Sequence, residues 1–121
     1  MELYSINERS SIDQTHVFKV VLDPDHEVYK GHFPGQPVTP GVLQVRIIRE
    51  LLEQTAEKML SLKTAQNLKF LRFIDPNEVQ ELKVSIHILD NSDDELKVKA
   101  DIADNDGVYF KMMATFGNAE H

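Results

Sequence analysis

The chain has 121 residues, 41% of them hydrophobic and 27% charged, with a formal net charge of −7. This size suits one domain, 1–121, able to bury roughly two-thirds of its unfolded surface. The acidic balance argues against nonspecific nucleic-acid binding, and the absence of cysteine excludes disulfides and thiolate chemistry. Apolar runs of only two or three residues rule out a membrane-spanning helix. Met1 to Ser5 lacks a basic region followed by an apolar core, so no secretory leader is expected and a cytoplasmic setting fits.

Residues 1–14 are polar and read as a lead-in. Thr15 to Asp23 is rich in β-branched and aromatic residues and predicts a strand, ended by the turn Asp23-Pro24-Asp25. Residues 31 to 43 then run Gly31-His32-Phe33-Pro34-Gly35-Gln36-Pro37-Val38-Thr39-Pro40-Gly41-Val42-Leu43. Three of the five prolines and three of the five glycines fall here, which predicts a stiff loop holding His32. Thr39 is the candidate N-cap of a helix with Pro40 at its first position, and free N–H groups at that end, Gly41 among them, attract negative charge.

The helix is expected from about Pro40 to Leu60. Val45, Ile48, Leu52, Thr55, Ala56 and Met59 cover one side, widened by Leu43, Ile47 and Leu51, an arc broad enough to be wrapped by a sheet. Arg46, Arg49, Glu50, Glu53 and Glu57 fill the remaining arc, and Gln44 is the polar exception among the apolar positions. Beyond a break at Ser61 to Thr64, strands are expected at Ala65–Phe73, Val79–Leu89, Leu96–Ala103 and Val108–Phe116. Asp90 to Asp94 is a polar turn, and Asp104-Asn105-Asp106-Gly107 signals a hairpin. This order predicts an α+β fold in which an antiparallel sheet curls round one helix.

The segment Gly31 to Leu43 closely resembles the signature of the 3-hydroxyacyl-acyl-carrier-protein dehydratases, hot-dog-fold enzymes of fatty-acid biosynthesis. Asn67 to Glu78 resembles, more weakly, the family's next segment, a strand running into a Pro-containing turn. The resemblance implies a hot-dog fold and a site formed between two subunits, hence a homodimer, or a heterodimer with a paralogue. It further implies an acyl thioester or acyl carrier protein as partner. His32 would be the general base and Gly41 N–H would polarise the thioester carbonyl, with Phe33, Pro40, Val42 and Gln44 lining the substrate path. The family's second catalytic residue is a Glu or Asp fourteen positions after the His. That position is Arg46 here.

Dehydration removes a proton beside the carbonyl and protonates the departing hydroxyl. An imidazole suits the first task, and a backbone amide at a helix start suits the charge on the thioester oxygen. A guanidinium is a poor proton donor, so Arg46 is expected to impair the reaction and to pair with Glu50 one turn on, as Arg49 does with Glu53. Gln44 either meets substrate or ties the helix to neighbouring backbone. His87 is expected to face away from Ile86 and Ile88. Carrier docking on so acidic a chain needs local cations, for which Lys30, Lys69 and Arg72 are placed near the motif segments. Neither metal-ligand spacing nor a phosphate-binding glycine loop is present, so no metal or cofactor is expected. Three functions follow: a dehydratase, a non-catalytic acyl-binding or dimerisation partner of an active one, and a thioesterase on the same fold.

Overall fold

The computed structural model describes residues 2–30 and 37–119. Six strands form one antiparallel sheet: β1 Tyr4–Ile12, β2 Thr15–Leu22, β3 Leu60–Phe70, β4 Glu81–Asn91, β5 Glu95–Asp104 and β6 Gly107–Asn118. Their order across the sheet is β1-β2-β4-β5-β6-β3, so β1 and β3 are the two edges. One helix, α1 (Gly41–Ala56), joins the first hairpin to the remaining strands. The expected α+β architecture is the one observed.

Alternation builds the sheet. Phe18, Val20 and Leu22 on β2, Leu82, Val84 and Ile86 on β4, and Leu96, Val98, Ala100 and Ile102 on β5 are buried, with exposed or half-buried residues between them. His87 lies on the outward side as expected, its ring 2.7 Å from the Thr15 hydroxyl. On α1 the buried stripe is Gln44, Ile47, Ile48, Leu51 and Leu52, the 3–4 spacing of a helix face set against the sheet. Burying each of the four aliphatic residues stabilises the fold by about 1.5–3 kcal/mol. The Asp104-to-Gly107 turn is also as expected: Asp104 pairs with Gly107, whose φ of 137° favours glycine.

Several element boundaries differ from the sequence expectation, among them the end of β3, which falls at Phe70 and not Phe73. Residues 4–12 are not a lead-in but the edge strand β1, in register with β2 from Tyr4↔Leu22 to Ile12↔Thr15. Only its inner face is covered, through Tyr4 and Ile6, so its composition stays polar. Helix α1 ends at Ala56, not near Leu60, because Glu57 turns left-handed at φ 56° and its N–H bonds the Glu53 carbonyl. The Glu53 carboxylate then accepts the Leu60 amide at 2.8 Å, starting β3 at once. The expected break at Ser61 to Thr64 is therefore strand, and Met59 stands exposed instead of extending the helix's apolar side. Finally, Thr39 does not cap α1; Pro40 is the N-cap, with no side-chain capping bond.

Candidate functional site

Helix α1 carries two groups of functional candidates, at its entry and on its outward face. At the entry Thr39 is held three ways. Its N–H bonds the Ile74 carbonyl at 2.9 Å, its hydroxyl lies 2.9 Å from the Tyr29 hydroxyl, and its carbonyl accepts the Gln44 side-chain amide at 3.1 Å. This buried anchoring explains why its hydroxyl is not spent on capping. Burial, with the charges of Asp23 and Asp75 and only partly offset by the Thr39 bond, pushes the Tyr29 phenol up, so it stays protonated. Leu43 and Gln44 amides both reach the Pro40 carbonyl, and the Gly41 and Val42 amides at the head of the helix have no backbone acceptor among the described residues.

Gly41 is constrained from outside. A Cβ there would lie 2.7 Å from two atoms of the Phe70 ring, which stacks on Phe110 with centroids 4.5 Å apart and planes 15° off parallel. Phe70, the last residue of β3, thus forms an apolar cover over the helix head while remaining 52% exposed itself. Val42 and Phe73 are also exposed, giving this end of the molecule an apolar surface. Gln44 sits just inside, 3% exposed, and its Oε1 has no hydrogen-bond partner among the described residues. Leaving such an acceptor unmatched costs about 1–3 kcal/mol. Of the other expected site residues, Pro40 caps the helix, whereas His32 and Phe33 lie outside the described residues.

The outward face is polar. Arg46 Nε donates to Glu50 Oε2 at 3.1 Å, the pairing expected from spacing alone, and Arg49 lies 3.8 Å from Glu53. The sequence did not reveal that Tyr4, from β1, donates its hydroxyl to Glu50 Oε1 at 2.9 Å. Burial, then the hydrogen bond to Glu50 and that residue's charge, push the Tyr4 phenol far up, so it is a permanent donor. Tyr4, Arg46 and Glu50 line a groove of about 820 Å³ between β1 and α1, together with His26, Glu53 and Met59. His26 Nδ1 accepts the Val28 amide at 3.0 Å, which leaves its other ring nitrogen to carry the proton in the neutral form.

Gly41 and Arg46 do not share a face. Five residues apart, they point about 140° from one another round the axis, one beneath Phe70 and the other toward β1. One chain therefore brings the entry group together and the groove group together, but not the two groups to each other. Of the cations placed near the motif, Lys69 lies opposite Lys111 on the sheet. Arg72 is engaged elsewhere, 4.3 Å over the Tyr109 ring and 3.6 Å from Asp104. From the sequence alone Phe70 is only a strand residue and Tyr4 belongs to the polar lead-in. The one available signal was the period-two spacing of Tyr4 and Ile6.

The ApeI dehydratase family model (ApeI-like) matches residues 8–112. Among curated proteins, a 3-hydroxyacyl-[acyl-carrier-protein] dehydratase FabZ from Clostridium acetobutylicum is 30% identical over 69 residues, 51% of this chain and 49% of the relative. The FabZ of Rickettsia rickettsii is 35% identical over 66 residues, covering 48% of this chain and 46% of that one. The chain spans about half the length of the curated relatives it matches. Among solved structures, the dehydratase heterocomplex ApeI:P from Xenorhabdus doucetiae superposes with a TM-score of 0.76 at 22% identity, covering 98% of this chain and 100% of that one. A hypothetical thioesterase protein with coenzyme A from Streptococcus pneumoniae gives 0.66 at 10% identity, covering 98% and 87%. At such identities these likenesses show the hot-dog fold and nothing finer.

Proposed function

Because the chain belongs to the ApeI-like dehydratase family, we propose that it is a hydro-lyase converting 3-hydroxyacyl thioesters, carried on an acyl carrier protein, to 2-enoyl thioesters in fatty-acid or related lipid or polyene biosynthesis. The observation that carries this reading is Gly41 heading α1 beneath Phe70, nine residues after His32 in an uninterrupted motif. His32 takes the C2 proton as general base. The Gly41 amide, backed by the helix dipole, holds the thioester oxygen as negative charge develops on it. Phe33, Pro40 and Val42 flank the thioester, and Gln44 Oε1 accepts a hydrogen bond from substrate or from the loop before the helix. Arg46, at the family's acid position, stays charged throughout and donates no proton.

The site is completed by a second chain, which explains why the entry and groove groups of one chain face apart. Pairing through the β3 edge is supported by its exposed Leu62, Leu68 and Phe70. A homodimer meets this need. A heterodimer meets it too, and the heterocomplex in the ApeI:P structure favours keeping that second reading, with this chain as partner of an active paralogue.

Incubation with 3-hydroxyacyl and 2-enoyl carrier-protein thioesters, read by mass spectrometry in both directions, tests the proposal. Interconversion is expected. A chain inert in both directions alone, but required for turnover by a co-expressed paralogue, would replace the catalytic reading with the partner reading.

A further inference from the structure

The groove between β1 and α1 holds a carboxylate that the family's motif does not account for. Glu50 sits one turn beyond Arg46 on the same helix face, and each of its oxygens is fixed by a different element. Oε1 receives the Tyr4 hydroxyl from β1 at 2.9 Å, and Oε2 receives Arg46 Nε from α1 at 3.1 Å. A carboxylate has about four lone-pair positions, so each oxygen retains one acceptor site. Glu53, a neighbouring carboxylate in the groove, holds the Leu60 amide and faces Arg49 through Oε2, and only 13% of its side-chain surface is open. Glu50 keeps 29% of its side-chain surface open, and the groove beside it, about 820 Å³, is large enough for a substrate's reacting end.

We infer that Glu50 is the helix carboxylate of this site, accepting a hydrogen bond from the 3-hydroxyl of the substrate, with Arg46 and Tyr4 as the positioning residues that hold it. The inference deepens the dehydratase reading and rests on it. Its chemistry differs from that of a carboxylic acid at position 46. Beside a guanidinium and a phenol donor Glu50 acts as an anion, so it orients the leaving group and does not protonate it. The C2–H bond breaks with its electrons moving into the enolate. The proton, carried by the general base, passes to the 3-oxygen, whose lone pairs Glu50 has aligned. The enolate electrons then form the C2=C3 bond as the C3–O bond breaks, its pair leaves with the oxygen as water, and the base is regenerated, with no further reactant needed.

The variants Glu50→Gln, Glu50→Ala, Tyr4→Phe and Arg46→Gln test this in the full chain. Glu50→Gln is expected to lower kcat on the order of 10²-fold with a smaller change in KM, and Tyr4→Phe about tenfold. Added formate should restore part of the turnover of Glu50→Ala, an effect that a merely structural role would not produce. Wild-type-like kcat in Glu50→Gln, or no formate response in a folded Glu50→Ala, overturns the inference while leaving the dehydratase reading standing. If wild type turns nothing over, the dehydratase reading fails first. Binding then decides for Glu50: wild type should hold 3-hydroxybutyryl N-acetylcysteamine thioester more tightly than the butyryl analogue, and Glu50→Gln should erase the preference. Absence of that preference in wild type, or its persistence in Glu50→Gln, sinks the assignment.

Discussion

The two faces of helix α1 solve different problems with the same backbone. At its entry, Thr39, Gln44, Gly41 and Phe70 are locked by buried hydrogen bonds and ring packing, and the reactive feature offered is a backbone amide. Round the axis, Tyr4, Arg46 and Glu50 form an open charged network in which side chains carry the chemistry. A rigid entry suits charge stabilisation, because donors fixed beforehand need not reorganise as the reaction proceeds. A solvated ion pair contributes little to folding, so changes on the outward face should act on turnover more than on stability, whereas changes at the entry should act on both.

Breaking the entry should give the largest effects. His32→Ala is expected to reduce turnover by on the order of 10²-fold or more, measured under single-turnover conditions beside wild type; undiminished turnover would reduce the motif to scaffolding. Gly41→Ala gains helix propensity but drives a methyl into Phe70, and overpacking of this kind costs about 1–3 kcal/mol. The net expectation is a loss of stability of about 1 kcal/mol in urea unfolding, relieved in the Gly41→Ala, Phe70→Ala double variant. An additive pair would mean that Phe70 does not press on the helix head.

On the outward face, Arg46→Glu sharpens the contrast. By spacing alone it restores the family's acid and should speed the reaction. The observed Arg46–Glu50 bond reverses that expectation, since two carboxylates would meet one turn apart and the Glu50 network would lose its cation. Turnover should fall about tenfold, with stability lowered by no more than about 1 kcal/mol. A faster Arg46→Glu enzyme would return the acid to position 46.

A smaller effect, remote from both faces, serves as a control. Burial pushes the Asp104 carboxyl up, but the Tyr109 hydroxyl, the Asp106 amide, Arg72 and the Gly107 amide outweigh it and hold it below the usual carboxylate range. A carboxyl lowered by folding stabilises above its unfolded pKa of about 4 and loses that contribution as pH falls through the folded value. Asp104→Asn should therefore cost about 1 kcal/mol at pH 7, with the difference from wild type shrinking below about pH 4. Turnover should stay unchanged. Equal stability of the two proteins at every pH would refute the hairpin network.

Much of this was legible because it is local. The buried stripe of α1, the alternation of β4 and β5 and the turn at Asp104 to Gly107 are written in periods of 3.6 and 2. The Arg46–Glu50 pair is written in a spacing of four. What was hidden depends on distant segments. Edge strands are covered on one side only, so β1 and the start of β3 carry polar sequences that read as linker. Helix α1 ends without glycine, because Glu57 adopts the left-handed turn and Glu53 anchors the next strand. Tyr4 meets Glu50 across 46 positions, and Phe70 lies on Gly41 only once β3 is in place beside β6; no pattern within a short window encodes either contact.

The central claim is that a working site joins the entry of one chain to the groove of another. Subunit complementation tests it most directly: His32→Ala and Glu50→Ala chains, each inactive alone, are unfolded together, refolded as a mixture and assayed. Random pairing places one intact combination in half of the dimers, so turnover of about a quarter of the wild-type value is predicted for a two-fold assembly with shared sites. A mixture that stays at the sum of the two separate activities, while sedimentation shows mixed dimers present, would contradict it.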